Sequence, residues 1–505
     1  MSRLVLQALR LTLPGGSLLL ERSDLVLDTR ITALVGANGV GKSTLCRVLA
    51  GRQTPAAGHV VAHGPVAWVD PAALRNQSVS ISEWLGERVA DTRLPRWLAR
   101  LDLAEMDWQR PLASLSGGEI TRLALAAALA TGADYLILDE PAAHLDHAGR
   151  AWLADWLRHH RGGALLVSHE RELLATAMRV LELSNQRLHD YALDFAAYLA
   201  RRGLEQAAAE RALATARTEH ERVRRSAQQA RERAERRAAQ GRRARAGGDH
   251  GPMYFDYVQG RAEHGSGRRE HAAAARSEAA AQQIRACRER LRVTASFDLR
   301  LRGQGPAAGK RVLDARDLGA SAGSRRLFDG LNLRLTGPER IGIIGRNGSG
   351  KSRLLRIFAG IDPPEHGQVD RAALPMVWLD QHAALPCPSA SLLANVRALQ
   401  PASSEAELRE RLAWFGFRGD RVAQPAATLS CGERLRLALC GHLAGTQPPQ
   451  LLLLDEPDNH LDFASLAIVE HALRQYPGAL IVVSHSHGFL EAIGIERVID
   501  LDAGA

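Results

Sequence analysis

Hydrophobic positions along the chain form short, nearly unbroken runs, and these runs are separated by segments with helical periodicity. The runs RITALV before Gly36 and RIGII before Gly345 have the pattern of strands that are buried on both faces. Each run leads into a glycine-rich segment and then into a helical pattern, TLCRVLAG or RLLRIFAG, that ends at a glycine. The alternation of strand and helix patterns predicts an α/β fold with a parallel-sheet core.

The same set of patterns occurs twice. GANGVGKST (36–44) is matched by GRNGSGKSR (345–353), LSGGE by LSCGE, YLILDEP by LLLLDEP, and ALLVSH by LIVVSH. Each motif of the second set follows its counterpart by 309 to 316 residues. Four motifs in one order with a nearly constant offset indicate an internal duplication.

A basic segment separates the two copies. Residues 201–300 contain 23 Arg and no Lys against 13 acidic residues, which accounts for the net charge of +9 of the whole chain. Residues 199–240 are rich in helix formers, glycine and proline interrupt at 247–252, and a second helical stretch covers about 262–293. We therefore predict an antiparallel helical hairpin. The expected domains are residues 1–198, a linker at 199–295, and residues 296–505.

Composition narrows the class of protein. The chain has 505 residues, of which 46% are hydrophobic and 24% charged, values typical of a soluble globular protein and not of a disordered or collagen-like one. No apolar run reaches about 18 residues, and Arg10 interrupts the apolar N-terminal stretch, so we expect neither a membrane span nor a signal peptide. Five cysteines without a CxxC pair indicate free thiols in a reducing compartment, and we expect a cytoplasmic protein.

Lysine is rare in this chain, and its positions indicate phosphate binding. Only three of the 65 basic residues are Lys, and two of them, Lys42 and Lys351, complete the pattern G-x-x-x-x-G-K-[ST]. In such a loop the backbone N–H groups cradle phosphate oxygens, the Lys reaches the β- and γ-phosphates, and the Ser holds Mg²⁺. The predicted ATP-binding residues of the two loops are Gly36, Asn38, Gly39, Gly41, Lys42, Ser43 and Thr44, and Gly345, Asn347, Gly348, Gly350, Lys351, Ser352 and Arg353.

On these motifs the sequence resembles a tandem ATP-binding cassette protein, over roughly 400 of its 505 residues. The resemblance implies two P-loop cassettes, each with a parallel-sheet core and a helical subdomain, that bind ATP and Mg²⁺. It assigns Asp139, Asp455, Ser43 and Ser352 to Mg²⁺, Glu140 and Glu456 to the attacking water, and His169 and His485 to the γ-phosphate. It also implies that the signature motif of one cassette caps the nucleotide of the other. Site one would combine Lys42 with Ser430, Gly432 and Glu433, and site two would combine Lys351 with Ser116, Gly117, Gly118 and Glu119.

Three branches of this superfamily fit at first: a transporter engine with a separate membrane subunit, a DNA-associated ATPase, and a translation factor. The segment PDNHLD (457–462) and the charged helical linker resemble the third branch, the ABC-F family, and PAAHLD (141–146) is a partial match. This resemblance implies a protein that binds the ribosome near the exit-site tRNA with ATP bound and leaves after hydrolysis. It also implies a monomer whose own two cassettes pair. A general translation role, relief of stalling and protection against antibiotics all stay open.

The linker supplies candidate RNA contacts. Arg242, Arg243 and Arg245 suit phosphate, and aromatic residues at the predicted hairpin tip, Tyr254, Phe255 and Tyr257, could stack on unpaired bases. The alternative is that these three aromatic residues pack the end of the hairpin. Only 79 residues separate the first P-loop from its signature and 20 follow His485, so we expect neither a long arm insertion in cassette one nor a C-terminal coiled coil.

The two ATP sites differ in sequence. Gln381, which the resemblance assigns to Mg²⁺ and the attacking water, aligns with Pro71, which has no amide side chain and no N–H. The signature opposite site one has Cys431 in place of a glycine, whereas site two departs only at Arg353, where Thr is usual. Both larger departures fall around Lys42, so we expect slower turnover at site one.

Overall fold

The structure is a computed structural model, and it describes residues 3–13, 16–74, 78–142, 145–246, 275, 278–279, 281–282, 305–323, 325–381, 383–445, 447–459 and 461–502. The chain divides into two units, of which one comprises Met1–Tyr198 with Phe297–Ala505 and the other comprises Leu199–Ser296. The first unit contains two cassettes with the same architecture.

Cassette one has two sheets. A three-stranded antiparallel sheet has the order β2-β1-β4, and a six-stranded sheet has the order β5-β6-β7-β3-β8-β9, in which only β9 is antiparallel. The strands are β1 (Arg3–Thr12), β2 (Leu18–Leu27), β3 (Ile31–Val35), β4 (Ala57–His63), β5 (Val66–Val69), β6 (Tyr135–Asp139), β7 (Gly163–Val167), β8 (Arg179–Ser184) and β9 (Arg187–Tyr191).

Helices flank this sheet and fill the connections between its parallel strands. The helices are α1 (Lys42–Leu49), α2 (Pro71–Leu74), α3 (Ile81–Leu85), α4 (Leu94–Arg100), α5 (Gly117–Ala130), α6 (His147–His159) and α7 (Arg171–Leu174), with 3₁₀ turns at Gly86–Ala90 and Leu112–Ser114. A long helix, α8 (Phe195–Ala246), begins after β9 and runs into the second unit.

Cassette two repeats the arrangement with sheets ordered β11-β10-β13 and β14-β15-β16-β12-β17, the second of which is parallel throughout. Its strands are β10 (Arg311–Ala322), β11 (Arg325–Thr336), β12 (Arg340–Ile344), β13 (His366–Arg371), β14 (Met376–Leu379), β15 (Leu451–Asp455), β16 (Ala479–Val483) and β17 (Arg497–Asp500). Its helices are α9 (Lys351–Ala359), α10 (Leu392–Leu399), α11 (Glu405–Trp414), α12 (Cys431–Leu443), α13 (Phe463–Gln475) and α14 (His487–Ala492), with 3₁₀ turns at Gly419–Ala423 and Ala426–Thr428.

The central strands are apolar at every position because both faces of the sheet are covered. In β6, Leu136 and Leu138 point into a core shared with α5, while Ile137 points into a second core shared with α1. In β15, Leu452 and Leu453 divide between two cores in the same way. Successive side chains of a strand alternate between faces, so a continuous apolar run requires cover on both sides.

The predicted α/β class with two parallel-sheet cassettes is confirmed. The strands β3, β6 and β7 are neighbours and run in parallel, so their carboxyl ends meet at one edge of the sheet, as do those of β12, β15 and β16. Open parallel sheets bind ligands at that edge. No helix in the described ranges is long and apolar enough to span a membrane.

Of the predicted hairpin linker, the structure describes the first helix as part of α8, together with residues 275, 278–279 and 281–282, which have helical backbone. The backbone of residues 242–245 belongs to α8. Tyr254, Phe255 and Tyr257 lie outside the described residues.

Candidate ATP sites

Each predicted P-loop connects the carboxyl end of a buried strand to the first turn of a helix. The helices α1 and α9 begin at Lys42 and Lys351, directly after glycines with left-handed backbone, Gly41 at φ 102° and Gly350 at φ 99°. A Cβ at Gly41 would lie 2.0 Å from Leu19 Cδ1. The left-handed backbone angle favours glycine there, and a Cβ would also displace the Leu19 side chain.

The two P-loop lysines turn back over their own loops. Lys42 Nζ donates to the carbonyl oxygens of Gly36 and Ala37 at 2.8 and 3.2 Å, and Lys351 Nζ makes the equivalent pair of bonds, both at 2.8 Å. Both lysines are buried, and burial lowers the pKa of each ammonium, while the nearby carboxylates Glu140 and Glu456 oppose that shift. Each site therefore holds a compact cation against a glycine-rich loop of the kind that binds phosphate. The other predicted P-loop residues lie in these loops and first helical turns.

A hydroxyl and a carboxylate meet beside each P-loop. Ser43 hydrogen-bonds to Asp139, and Ser352 to Asp455. Burial raises the pKa of both carboxyls, that of Asp455 to about 6, and Asp455 Oδ1 is buried without a hydrogen-bond partner among the described residues. A hydroxyl and an under-used carboxylate next to a phosphate loop form a donor set that suits Mg²⁺.

The glutamates that follow these aspartates have unusual backbone geometry. Glu140 has φ 50° and Glu456 has φ 49°, in the left-handed region, and their N–H groups donate to the carbonyls of Val167 and Val483 at 2.9 Å. A non-glycine residue held there costs about 1–3 kcal/mol, and such strain occurs at functional sites. Both cassettes keep this geometry, which turns the glutamate away from the strand direction directly after the preceding aspartate.

Three side chains fix the carboxylate of Glu456. Gln381 Nε2 donates to Glu456 Oε2 at 2.8 Å, Asn459 Nδ2 donates to the same oxygen, and His485 Nε2 lies 3.5 Å from Oε1. Burial would raise the pKa of Glu456, but His485, Lys351 and Gln381 outweigh it and hold the pKa below its usual value. Glu456 is thus an oriented and ionised carboxylate.

The surroundings of Glu140 are poorer in donors. His169 Nε2 lies 3.2 Å from Glu140 Oε1, but Pro71 takes the sequence position of Gln381 and Ala143 that of Asn459. Ala143 itself lies outside the described residues. Although 37% of the side chain stays accessible, burial of the carboxyl and the adjacent Asp139 raise the pKa of Glu140 to about 8. The two glutamates therefore share their backbone geometry and differ in their electrostatics.

The two signature motifs form the N-termini of helices. Ser116 caps α5 and Ser430 caps α12, each in a reciprocal capping box with the glutamate three residues later, Glu119 or Glu433. In α5, Ser116 N donates to Glu119 Oε2 at 2.7 Å, and Glu119 N donates to Ser116 Oγ at 3.2 Å. Gly117 and Gly118 lie in the first turn of α5.

The carboxylates of the signature glutamates are engaged locally, because Glu119 pairs with Arg110 and Glu433 with Arg421. The part of each signature motif that can bind a phosphate is therefore the helix N-terminus with its small residues. In α12 the first turn contains Cys431, which is exposed and contacts Arg434, followed by Gly432.

The cassettes touch through the segments that follow the predicted catalytic glutamates. Asp462 of cassette two accepts a hydrogen bond from the N–H of Asn38, in the P-loop of cassette one, at 3.0 Å. Its other oxygen accepts from Ser465 N at 2.7 Å and caps α13. In the reciprocal place, Asp146 is one of the charges that raise the pKa of Lys351. Arg171 and Glu470 add an ion pair across the interface at 3.0 Å.

A cavity of about 200 Å³ lies between the cassettes. Its lining includes Glu140 and His169 of site one together with Asp458 and Asn459 of cassette two. The candidate catalytic groups of site one thus face two residues that lie close after Glu456 in the sequence, and one of them, Asn459, donates a hydrogen bond to Glu456.

Several residues of this interface were not predicted as site residues. Asp462, Asp146 and Asn459 stand in the segments PDNHLD and PAAHLD, which served only to identify the branch of the superfamily. Asn459 follows Glu456 by three residues, and that spacing on a tight turn was a usable signal. Arg353, which is predicted to bind ATP, pairs with Asp362 at 2.8 Å in this structure.

Comparisons with known proteins agree with this architecture. The family model described as ABC transporter matches residues 26–143 and 328–459. The "Tylosin resistance ATP-binding protein TlrC" of Streptomyces fradiae is 31% identical over 504 residues, which cover 90% of this chain and 89% of that protein. The "Ribosome protection protein VmlR" of Bacillus subtilis is 27% identical over 464 residues, covering 91% and 80%.

The "Probable ATP-binding protein YheS" of Escherichia coli strain K12 is 29% identical over 440 residues, which are 86% of this chain but only 61% of that protein. The chain thus spans about three fifths of the length of YheS, whereas it covers most of TlrC and VmlR. Among solved structures, one titled "RNase-L Inhibitor" matches with a TM-score of 0.62 at 18% identity and covers 98% of this chain and 87% of its own. That likeness concerns the fold of two cassettes in one chain.

Proposed function

The chain belongs to the ABC-F family of tandem ATP-binding cassette ATPases, and from this premise we propose that it hydrolyses ATP at two composite sites and binds ribosomes in its ATP-closed state. Hydrolysis then releases it. The ribosome enters the proposal because VmlR bears the name of a ribosome protection protein, and TlrC that of a tylosin resistance protein.

At each site the chain's own residues divide the work of phosphoryl transfer, which consists mainly of positioning and charge stabilisation. Lys42 or Lys351 binds the β- and γ-phosphates. Ser43 with Asp139, or Ser352 with Asp455 and Gln381, would hold Mg²⁺, which neutralises phosphate charge when bound. Glu140 or Glu456 orients and polarises the attacking water, and His169 or His485 contacts the γ-phosphate.

The signature motif of the opposite cassette completes each site. The helix that begins after Ser430 serves site one, and the helix that begins after Ser116 serves site two. A helix N-terminus with small residues suits the γ-phosphate because its N–H groups and dipole favour negative charge.

The observation that supports this function best is the contact between cassettes. The P-loop N–H of Asn38 is bonded to Asp462, a residue of the other cassette, so a P-loop and the segment after the opposite catalytic glutamate already meet. ATP bound between these two surfaces holds the two cassettes together, and loss of the γ-phosphate removes some of the contacts that hold them.

We further propose that the ATP state binds near the exit-site tRNA and modulates translation or protects the ribosome. The linker would face RNA, with Arg242, Arg243 and Arg245 on phosphates and Tyr254, Phe255 and Tyr257 near bases. A monomer in the cytoplasm, with its own cassettes paired, is the form that this role requires.

The test replaces both catalytic glutamates. Glu140→Gln combined with Glu456→Gln removes the groups that polarise water and keeps the ATP-binding residues, so the variant should bind ATP without turnover. We expect it to co-sediment with 70S ribosomes in sucrose gradients with ATP, and to remain at the top of the gradient with ADP.

The control is the same double variant with Lys42→Ala and Lys351→Ala added, which should neither bind ATP nor sediment with ribosomes. Intact ATP binding without co-sedimentation would remove the ribosome from the proposal and leave the ATPase. Crosslinking of the ATP-bound variant to a membrane permease would instead support a transporter engine.

A further inference from the structure

One aromatic residue of cassette two packs against the core of cassette one. Phe463 is the first residue of α13 and directly follows Asp462, the residue that contacts the P-loop N–H of Asn38. Its ring is partly buried and packs on the apolar core of cassette one, the cluster that also contains Phe195 and Tyr198. The position of this ring is therefore tied to the pairing of the cassettes.

Phe463 contacts two rings that belong to different parts of cassette one. Its centroid lies 5.8 Å from that of His169 at an interplanar angle of 60°, an edge-to-face arrangement. It also lies 5.4 Å from the ring of Phe195, at 45°. Aromatic pairs at these distances have preferred orientations, so each contact restrains the rings that form it.

The two ends of this contact chain have distinct roles. Phe195 is the first residue of α8, the helix that forms the linker, and its side chain is only 4% exposed. At the other end, His169 Nε2 lies 3.2 Å from Glu140 Oε1. Three contacts thus lead from the base of the linker helix through Phe463 to the candidate catalytic carboxylate of site one.

In the sequence, a phenylalanine stands at this position for site one and not for site two. By the internal alignment, Phe463 corresponds to His147 of cassette one, so the predicted γ-phosphate residue of site two, His485, has no phenylalanine at the equivalent place. The linker helix begins beside the site-one contact.

We propose that Phe463 is a positioning residue for His169 and that it couples the base of the linker helix to ATP turnover at site one. When the cassettes pair, Phe463 holds the imidazole edge-on so that Nε2 faces Glu140 and the γ-phosphate, and it packs on Phe195 at the same time. Separation of the cassettes withdraws Phe463 from both rings together. This inference rests on the proposed hydrolysis of ATP at site one and does not depend on ribosome binding.

The test isolates each site by inactivating the other. Phe463→Leu is placed in the Glu456→Gln background, where site one remains, and in the Glu140→Gln background, where site two remains. Single-turnover rates are measured with protein in excess over ATP, because product release then does not hide the chemical step. ATP affinity is measured separately by equilibrium titration. Phe463→Met, which nearly conserves volume without a ring, is a second variant in case the leucine protein folds poorly.

We expect Phe463→Leu and Phe463→Met to slow site one by about two- to tenfold, the range that corresponds to one aromatic contact. ATP affinity and the rate of site two should stay within about twofold, and Phe463→Tyr, which keeps the ring, should restore site one. Phe415→Leu is the matched control, because Phe415 is fully buried in a core of cassette two that does not include Phe463. This substitution should lower stability without changing the ratio of the two rates.

The linker end is tested by a double-mutant cycle. Phe195→Leu should also slow site one, and the double variant Phe195→Leu with Phe463→Leu should be no slower than the slower single variant, because both changes break one chain of contacts. Strictly additive losses would overturn the coupling to the linker.

Equal losses at both sites, or failure of Phe463→Tyr to restore site one in a folded protein, would overturn the positioning role. A complete absence of turnover in the Glu456→Gln background, before any change at Phe463, would overturn hydrolysis at site one and this inference with it. A lack of ribosome binding alone affects neither.

Discussion

At the residue scale, the two glutamates that end the DE motifs have the same backbone conformation and different neighbours. Glu456 accepts hydrogen bonds from Gln381 and Asn459 and lies beside His485. Among the described residues, the corresponding neighbour of Glu140 is His169. A general base works best when its carboxylate is ionised and oriented toward the water that it polarises. Site two meets that requirement more fully.

The first prediction concerns how much of the ATPase activity each of the two sites contributes. Glu456→Gln should remove most of the steady-state ATPase activity, on the order of tenfold or more, whereas Glu140→Gln should leave a substantial fraction. The measurement is phosphate release by the two single variants beside the parent protein.

Gln381→Ala provides a control with a matched mechanism, because it removes one donor to Glu456 and should lower activity less than Glu456→Gln does. A larger loss from Glu140→Gln than from Glu456→Gln would reverse the assignment of the faster site.

At the element scale, the linker helix α8 is unlike the cassette helices. It covers Phe195–Ala246, is rich in Arg, Ala and Glu, and its described ion pairs join neighbours on the same helix, such as Arg201–Glu205 and Arg222–Glu219. Pairs of this kind support a solvated helix by a few tenths of a kcal/mol each. The excess of Arg over these partners is what a phosphate backbone would neutralise.

The corresponding prediction concerns salt dependence. Changing Arg242, Arg243 and Arg245 together to Gln should weaken ribosome binding and make the slope of log K against log salt shallower by up to about 2, if all three contact phosphate. ATPase activity of the isolated protein should not change. Affinity for ribosomes is measured across a series of salt concentrations.

A control triple, Arg211, Arg217 and Arg224 changed to Gln, carries the same loss of charge nearer the start of the helix. If both triples flatten the slope equally, the effect is one of net charge and not of local contact. An unchanged slope in the first triple would leave residues 242–245 as a solvated segment.

At the scale of the whole molecule, the interface between the cassettes is asymmetric. On one side Arg150 pairs with Glu170 at 2.8 Å, and Asp458 accepts a hydrogen bond from Ser484 at 2.8 Å. At the positions equivalent to Arg150, Glu170 and Asp458 the internal alignment has Leu466, Ser486 and Ala142, so the duplicated sequence did not keep this cluster in both halves. Burial, with Glu170 nearby, raises the pKa of Asp458 from 3.8 to about 7.

This shift predicts how stability varies with pH. Between about pH 4 and 7 the unfolded chain releases the Asp458 proton while the folded protein retains it, so stability falls as the pH rises through that interval. Asp458→Asn keeps the acceptor for Ser484 and removes this loss. We expect its Tm to exceed that of the parent by about 2–6 °C at pH 8, and the difference to shrink toward pH 4.5.

Asp102→Asn is the matched control, since its side chain is 90% exposed and its removal should leave Tm within about 1 °C at either pH. Equal Tm values for Asp458→Asn and the parent protein at pH 8 would show that Asp458 is ionised in the folded state without cost.

The sequence by itself determined the fold class, the duplication and the family, because these depend on patterns that are local. A buried strand must be apolar on both faces, a phosphate loop must have glycines with positive φ, and the repeat places both in the same order twice. The candidate Mg²⁺, Glu and His positions at strand ends follow from the same rule, since parallel strands end at one edge of a sheet. Their roles in catalysis remain predictions.

Only the tertiary structure decided which residues of one cassette meet the other. Asn38 and Asp462 are 424 positions apart, and no local pattern indicates that they bond, or that Phe463 lies between His169 and Phe195. The partners of Arg353 were also decided there, because an arginine side chain reaches several groups and the packing selects Asp362. Local periodicity specifies the elements of each cassette, while contacts between cassettes depend on how two finished surfaces fit, and that information is spread over the whole chain.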